Sequence, residues 1–388
     1  MAGRATLAYL GADDVMLVGN PEMTYFIERY STSIPFAKRL EVISFDSQVR
    51  FGQETAVDIQ KRGDLVSAIY LRLNTPPIPS VCDSAMNYMI EYVELYSNSQ
   101  LVERLYGEYM EMMNDIRVPA GKQTTLQYLT AKVYPLTSTG LNATYNIPLP
   151  FTCLKKGFEI GNNVINLKIM LKNSNEFSYP VFVYTGEIDM SLLVEYVYLS
   201  EPLKRDMQLI EQVQRVEFIA PQGINNVRCN LGFMNLVKEI FVVIQNVGAF
   251  GFDFTTNGAF NLTTQAWVNG TTEQLSSLVL KFNGVERITR EIGTPLFLRV
   301  IQPMEFHTRV PDRKFYMYSF SIDPDGEVPT GQINMSRIFN QILELNMNPS
   351  AQARFIRVYA VNYNFLKDGR VLFPNNEEAG ILNNGIAP

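Results

Sequence analysis

Between Val164 and Leu171 the apolar residues Ile165, Leu167, Ile169 and Leu171 alternate with Asn166 and Lys168, the period of two expected of a strand with one buried face. Short runs rich in β-branched and aromatic residues recur at Ile69–Leu73, Tyr92–Tyr96, Ile240–Ile244 and Phe355–Phe365, each bounded by Asn, Pro, Gly or Asp. Strands at that spacing predict an all-β sandwich. Helical patterns are few. They fall at Glu22–Tyr30, at Leu105–Asp115 and at Glu201–Met207, where Ser200 suits a cap and Pro202 a first turn.

The strand pattern repeats. Asp64–Leu73 (DLVSAIYLRL) reads position for position like Asn235–Ile244 (NLVKEIFVVI), an offset of 171 residues. Val102–Leu105 recurs as Val285–Ile288 at an offset of 183, and the Tyr-rich runs Val194–Tyr198 and Ile356–Ala360 match at an offset of 163. Apolar patterns resemble one another by chance, but three matches in order on either side of one helical linker predict two copies of one β-domain. The predicted organisation is an N-terminal segment over 1–30, a first domain over 31–200, a helical linker over 201–208 and a second domain over 209–388. Each copy has room for about eight strands, the size of a jelly roll, a fold shared by capsids, lectins and cupins.

Composition narrows the chemistry. Apolar residues make up 46% and aromatic residues 12% of 388, enough for large cores, while charged residues are only 19% and Asn numbers 31. The net charge of −6 comes without a basic run, which disfavours direct nucleic-acid binding. No signal peptide is read at the N-terminus, where Asp13 and Asp14 break the apolar stretch, and Ile240–Phe254 is too interrupted to span a bilayer. Cys82, Cys153 and Cys229 match no metal-binding spacing and are expected as reduced, mostly buried thiols.

Candidate catalytic groups are sparse. The single histidine, His307, lies two residues from Glu305, but no nucleophile motif accompanies it, so a structural hydrogen-bonding role is expected. Asp323-Pro324-Asp325-Gly326-Glu327 begins like a calcium loop, yet its twelfth position is Asn334; a turn between strands accounts for it. One histidine excludes a cupin metal site, and no carboxylate pair is singled out for glycoside hydrolysis. No catalytic residue, metal site or cofactor is assigned.

Several blocks carry a resemblance. Gly19-Asn20-Pro21-Glu22-Met23-Thr24-Tyr25-Phe26, Arg62-Gly63-Asp64-Leu65, Tyr106-Gly107-Glu108, Ile147-Pro148-Leu149-Pro150-Phe151, Asn283-Gly284-Val285-Glu286-Arg287, Gln302-Pro303 with His307-Thr308, Tyr318-Ser319-Phe320, Asn334-Met335-Ser336-Arg337-Ile338 and Arg357–Asn364 follow one another along residues 19–366. In that order they resemble the double jelly-roll major capsid proteins of nucleocytoplasmic large DNA viruses and related smaller viruses.

The resemblance implies two tandem eight-stranded jelly rolls and a homotrimeric, pseudo-hexagonal capsomer tiling an icosahedral shell. It implies a virion protein assembled in the host cytoplasm, not secreted. Its partners would be itself, neighbouring capsomers, minor capsid or penton proteins, and an internal membrane met through an N-terminal segment that faces the shell interior. Glu22, Met23, Tyr25 and Phe26 are then candidate contacts on that inner side. Arg62, Asp64, Arg337 and Asp368, charged residues near predicted strand ends, are candidates for inter-subunit pairs. A jelly-roll carbohydrate-binding protein or glycosidase is the alternative that jelly-roll size and the abundance of Asn, Tyr and carboxylates leave open.

Overall fold

A computed structural model describes residues 34–78, 81–132, 143–161, 163–178, 182–203, 207–261 and 266–373. The first half contributes β1 (Phe36–Ser44), β2 (Glu54–Ile59), β3 (Leu65–Asn74), β4 (Ile90–Ser97), β5 (Gln100–Tyr106), β6 (Thr144–Pro148), β7 (Phe158–Glu159), β8 (Ile165–Leu171) and β9 (Asp189–Leu199). They form two sheets, ordered β1-β9-β3-β6 and β2-β8-β4-β5, with β7 added to β3. The second half contributes β10 (Gln208–Ala220), β11 (Asn226–Asn230), β12 (Leu236–Asn246), β13 (Ala259–Asn261), β14 (Ala266–Val268), β15 (Leu275–Phe282), β16 (Val285–Ile288), β17 (Tyr316–Ser319), β18 (Ile333–Asn334), β19 (Gln341–Met347), β20 (Arg354–Lys367) and β21 (Arg370–Val371). Its sheets run β10-β20-β12-β17 and β11-β19-β15-β16, the same order with the same connectivity. Each half is a jelly roll, and β13 and β14 form a separate ribbon.

The duplication extends to single residues. The β3–β9 register slips between Val66 and Ala68, and the β12–β20 register slips between Val237 and Glu239, both at the expected offset of 171. Ser67 and Lys238 are therefore the extra residue of the same β-bulge in each roll. The β4–β5 hairpin turns through Asn98-Ser99 and the β15–β16 hairpin through Asn283-Gly284, all four with positive φ, as two-residue type I′ loops require. These turns and the slips beside them place Gln100 opposite Ser97 and Val285 opposite Phe282, so the hairpins match at an offset of 185 rather than 183. Likewise Val66 pairs with Tyr196 and Val237 with Asn362, which corrects the last offset from 163 to 166.

Burial follows the alternation predicted for β8, where Ile165, Leu167, Ile169 and Leu171 point into the core and their neighbours do not. Strand β12 differs: Val237 through Asn246 are buried without alternation. Ile240, Val242 and Ile244 belong to the core of the second roll, while Phe241 and Val243 belong to a core shared with the first. The sheet β10-β20-β12 is thus the middle layer of the molecule, covered on one face by its own partner sheet and on the other by the first roll.

Three expectations about helices meet the structure differently. Glu22–Tyr30 lies outside the described residues. Leu105–Asp115 becomes the helix Gly107–Arg117, since Leu105 and Tyr106 complete β5. Of the linker, 204–206 lie outside the described residues, Glu201–Leu203 and Met207 are not helical, and Gln208 already begins β10.

Candidate assembly surface

The helix Gly107–Arg117 leaves β5 and lies against the outer face of β12 and β20. Gly107 permits the approach, because a Cβ there would sit 2.0 Å from the Asn87 carbonyl oxygen and 2.2 Å from that of Ile90. The Arg357 guanidinium donates Nε–H and Nη2–H to the two oxygens of Glu108 at 2.7 and 2.6 Å, and the Tyr359 hydroxyl donates to the same carboxylate at 2.6 Å. Burial alone would raise the Glu108 carboxyl; Arg357 more than offsets it, so the group stays ionised well below neutrality. Tyr109 packs edge-on against Phe241, and Tyr106 against Tyr359, with ring centroids 6.3 and 5.7 Å apart.

Further along this seam the two rolls exchange buried charges. Arg313 of the second roll donates to Glu111 at 2.8 Å and Asp83 at 2.6 Å, while its backbone N–H donates to Asp115 at 2.9 Å. Burial would raise Glu111, but Lys132 and Arg313 hold it below the usual carboxylate range. Arg117 at the helix end meets Asp325 at 2.6 Å and Glu239 at 3.6 Å.

His307 completes this group, its side chain fully buried with Nε2 2.8 Å from Glu239 and Nδ1 3.0 Å from Asp325. Burial opposes its charge, yet hydrogen bonds to Asp325 and Glu239 raise its pKa to about 9. It is an imidazolium locked between two carboxylates, the structural role expected. Its partners come from β12 and from the Asp323–Glu327 turn; Glu305 is exposed on the preceding helix, Gln302–Phe306. Nδ1 is hydrogen-bonded to Asp325 and Nε2 stands against the Glu239 carboxylate, so both ring nitrogens face acidic groups of the chain itself.

The same sheet in the first roll is differently placed. Its core-facing positions include Ile69, Leu192 and Val194, so Ala68, Tyr70, Arg72, Leu193, Glu195, Leu40 and Val42 point to the other side. On that side Phe36, Leu40 and Val42 are 60%, 53% and 51% exposed. The residues at corresponding positions in the second roll, Val213 for Leu40 and Phe241 for Tyr70, are buried. A cleft of about 560 Å³ opens at the end of this face, lined by Val42, Arg72, Asn74 and Ser191 among others.

Glu22, Met23, Tyr25 and Phe26 lie outside the described residues. Arg62, Asp64, Arg337 and Asp368 all sit at the sheet end where β3 and β12 begin and β9 and β20 finish. Within the chain Arg62 bridges to Glu41, and Asp64 accepts the Leu199 amide at 2.8 Å. Asp368 forms the β20–β21 turn with positive φ, and Arg337 is exposed at the end of the helical turn Met335–Arg337, whose Met335 is buried. The seam residues Glu108, Glu111, Asp115, Arg313 and Arg357 were not singled out from sequence. One signal was available, an acidic stripe at 108, 111 and 115 on an otherwise apolar helix.

Two jelly rolls fused through a shared core, with one outer sheet face covered and its counterpart open, define a double jelly-roll protein. Residues 24–200 match the family described as major capsid protein N-terminus, and residues 203–368 match large eukaryotic DNA virus major capsid protein. The chain belongs to this family of major capsid proteins of large eukaryotic DNA viruses. A major capsid protein of Pyramimonas orientalis virus is 24% identical over 403 residues, spanning 94% of this chain and 96% of that one. Among solved structures, the PBCV-1 virus capsid aligns with a TM-score of 0.77 at 19% identity, covering 91% of this chain and all of that one. The Faustovirus major capsid protein gives 0.70 at 12% identity, covering 94% and 96%. The chain is accordingly a structural component of a virus capsid.

Proposed function

We propose that the chain forms a homotrimeric, pseudo-hexagonal capsomer that tiles an icosahedral shell, acting through contact with copies of itself and without covalent catalysis. The observation that carries this reading is the open outer face of β1 and β9, where Phe36, Leu40 and Val42 are exposed beside the Lys38–Glu195 ion pair, and whose counterpart in the second roll is covered by a jelly roll. A face of that character on a soluble chain belongs to an interface. Two similar units per chain give six per trimer, so three chains approximate a hexagon, and closed cyclic symmetry covers every such face. In this reading the first roll ends near residue 200 and the second begins with β10 at Gln208. The N-terminal segment turns to the shell interior, toward minor capsid or penton proteins and an internal membrane. Assembly takes place in the host cytoplasm, without direct contact to nucleic acid.

Light scattering on the size-fractionated protein, with negative-stain images of the same fraction, tests the reading. Three-chain particles with a hexagonal outline are expected. A monodisperse single chain at high concentration would exclude it.

A further inference from the structure

The sheet end where β3 and β12 begin carries a lock that is repeated in both rolls. In the first roll the Asn98 N–H donates to the Val164 carbonyl oxygen at 2.9 Å, and the Val164 N–H donates to Asn98 Oδ1 at 3.0 Å. In the second the Asn283 N–H donates to the Asn340 carbonyl oxygen at 2.8 Å, and the Asn340 N–H to Asn283 Oδ1 at 3.1 Å. Asn163 and Phe339, each one residue earlier, are therefore counterparts. Asn163 is half-buried, accepting the Asn98 amide at 2.8 Å beside Gly369 of the β20–β21 turn. Phe339 is 97% exposed, and Val285, just past the Asn283-Gly284 turn, is 72% exposed.

This tip is pinned rather than loose. Gln341 Nε2 donates to the Met335 and Ile338 carbonyl oxygens at 3.0 and 3.2 Å, and the Ile338 N–H donates to the Met335 carbonyl at 3.1 Å, so the chain is held on both sides of Phe339. A nearly fully exposed ring on a fixed turn projects outward and forms no concave pocket for a folded partner to fill. It stands at the end of the second sandwich, off the sheet faces through which the two rolls pack. Contact between sheet faces of neighbouring chains would leave it exposed.

Positive charge accompanies it. Arg337 and Arg287 lie two residues from Phe339 and Val285, and Lys367 and Arg370 flank the β20–β21 turn at the same end. All four are exposed and none pairs with a described acidic residue, whereas Glu286 is paired with Lys281 at 3.5 Å. Asp368 within the turn offsets one of the four. The described chain also starts at this end, since Phe36 pairs with Leu199, the last residue of β9. The N-terminal segment that the capsomer reading turns toward the shell interior leaves from here.

Resting on that reading, we infer that this end of the second roll docks on a lipid bilayer bearing anionic phospholipids. Phe339 and Val285 enter the headgroup boundary, and Arg287 and Arg337 meet the lipid phosphates. An apolar tip with cationic flanks suits such a surface, which yields around a projecting ring and carries the opposite charge. One tip binds weakly; three on one capsomer, all pointing one way, add their contacts.

Flotation of the full-length protein tests this with two kinds of vesicle, phosphatidylcholine alone and phosphatidylcholine with roughly a fifth phosphatidylserine. Wild type is expected to float with the anionic vesicles and to stay behind with the neutral ones. F339E/V285E should reduce vesicle affinity about tenfold or more, since two apolar contacts are lost at each tip. R287Q/R337Q should weaken binding and flatten its salt dependence. All four side chains are exposed, so circular dichroism and light scattering should show both variants folded and assembled like wild type. Three-chain particles that ignore both vesicles would overturn the inference and leave the tip to another protein of the shell. Flotation unchanged in F339E/V285E, or equal on neutral vesicles, would overturn it too. A wild-type chain that scatters as a single copy would instead overturn the capsomer reading, while its own flotation still decides the lipid contact.

Discussion

Glu108 and Arg357, 249 positions apart, meet through two parallel hydrogen bonds of 2.6 and 2.7 Å across the boundary between the two jelly rolls. A bidentate pair withdrawn from water depends on both members: deleting one strands the other in an apolar seam. Glu108→Ala is therefore expected to cost roughly 3 kcal/mol, read as a lower urea midpoint at fixed chain concentration. The double variant Glu108→Leu/Arg357→Met should recover most of that loss, since an apolar pair leaves no orphaned charge. Equal midpoints for wild type and Glu108→Ala would show that the pair contributes nothing.

His307 gives the seam a pH dependence of definite sign. Its folded pKa of about 9 lies above the ordinary value of about 6.5 expected once the chain unfolds. The stability it contributes is complete below pH of about 6.5 and is lost as pH rises through about 9, a change on the order of 3 kcal/mol. Melting temperatures across that window should fall for the wild type. His307→Gln should melt lower at pH 6 and show a flatter profile; an unchanged slope in the variant would assign the effect to another group.

Much of this architecture is legible in the sequence, and the remainder fails for identifiable reasons. Strand β8 announces itself because one of its faces is buried and the other is not. The match of Asp64–Leu73 with Asn235–Ile244 is correct to the residue, bulge included, because both copies keep the same unpaired position. The identity of Val102-Glu103-Arg104 with Val285-Glu286-Arg287 misleads by two residues. Hairpin register is set by the turns Asn98-Ser99 and Asn283-Gly284, and Glu103 is buried where Glu286 is exposed. The Tyr-rich strands mislead by three because β20 is buried on both faces and tolerates apolar and aromatic residues at every position, whereas β9 alternates, so matching tyrosines does not fix the register. The seam shows in the sequence only as the acidic stripe at 108, 111 and 115; the cations that meet it, Arg313 and Arg357, lie 202 and 249 positions away and no local pattern pairs them. Proximity in sequence points His307 to Glu305, whereas the fold supplies Glu239 and Asp325.

Gly107 is the point on which the first-roll helix turns into the seam. A methyl group there would stand within 2.2 Å of two backbone carbonyl oxygens, neither of which can rotate away. Gly107→Ala is expected to displace the helix start and with it Glu108 and Tyr109, at a cost of at least about 4 kcal/mol. The check is soluble yield together with the thermal midpoint. A variant that melts with the wild type would show that the short helix Ala85–Tyr88 and the start of β4 at Ile90 give way easily.

The buried thiols report separately on the seam and on one roll. Burial raises Cys82 well above its ordinary pKa and Cys229 to about 12, so neither should react with a thiol reagent at pH 8 in the native protein, whereas all three cysteines should react in urea. Their locations differ. Cys82 adjoins Asp83, which pairs with Arg313, and its Cβ lies 2.8 Å from the point a Cβ on Gly251 of the second roll would occupy. Cys229 lies in the second roll's own core. Loosening the seam with Glu108→Ala should therefore speed the labelling of Cys82 severalfold while leaving Cys229 protected, because local opening exposes only groups along the opened surface. Peptide mapping of the labelled sites separates the two rates. Parallel acceleration of both would mean that the rolls unfold as one unit, with no separable opening at the seam.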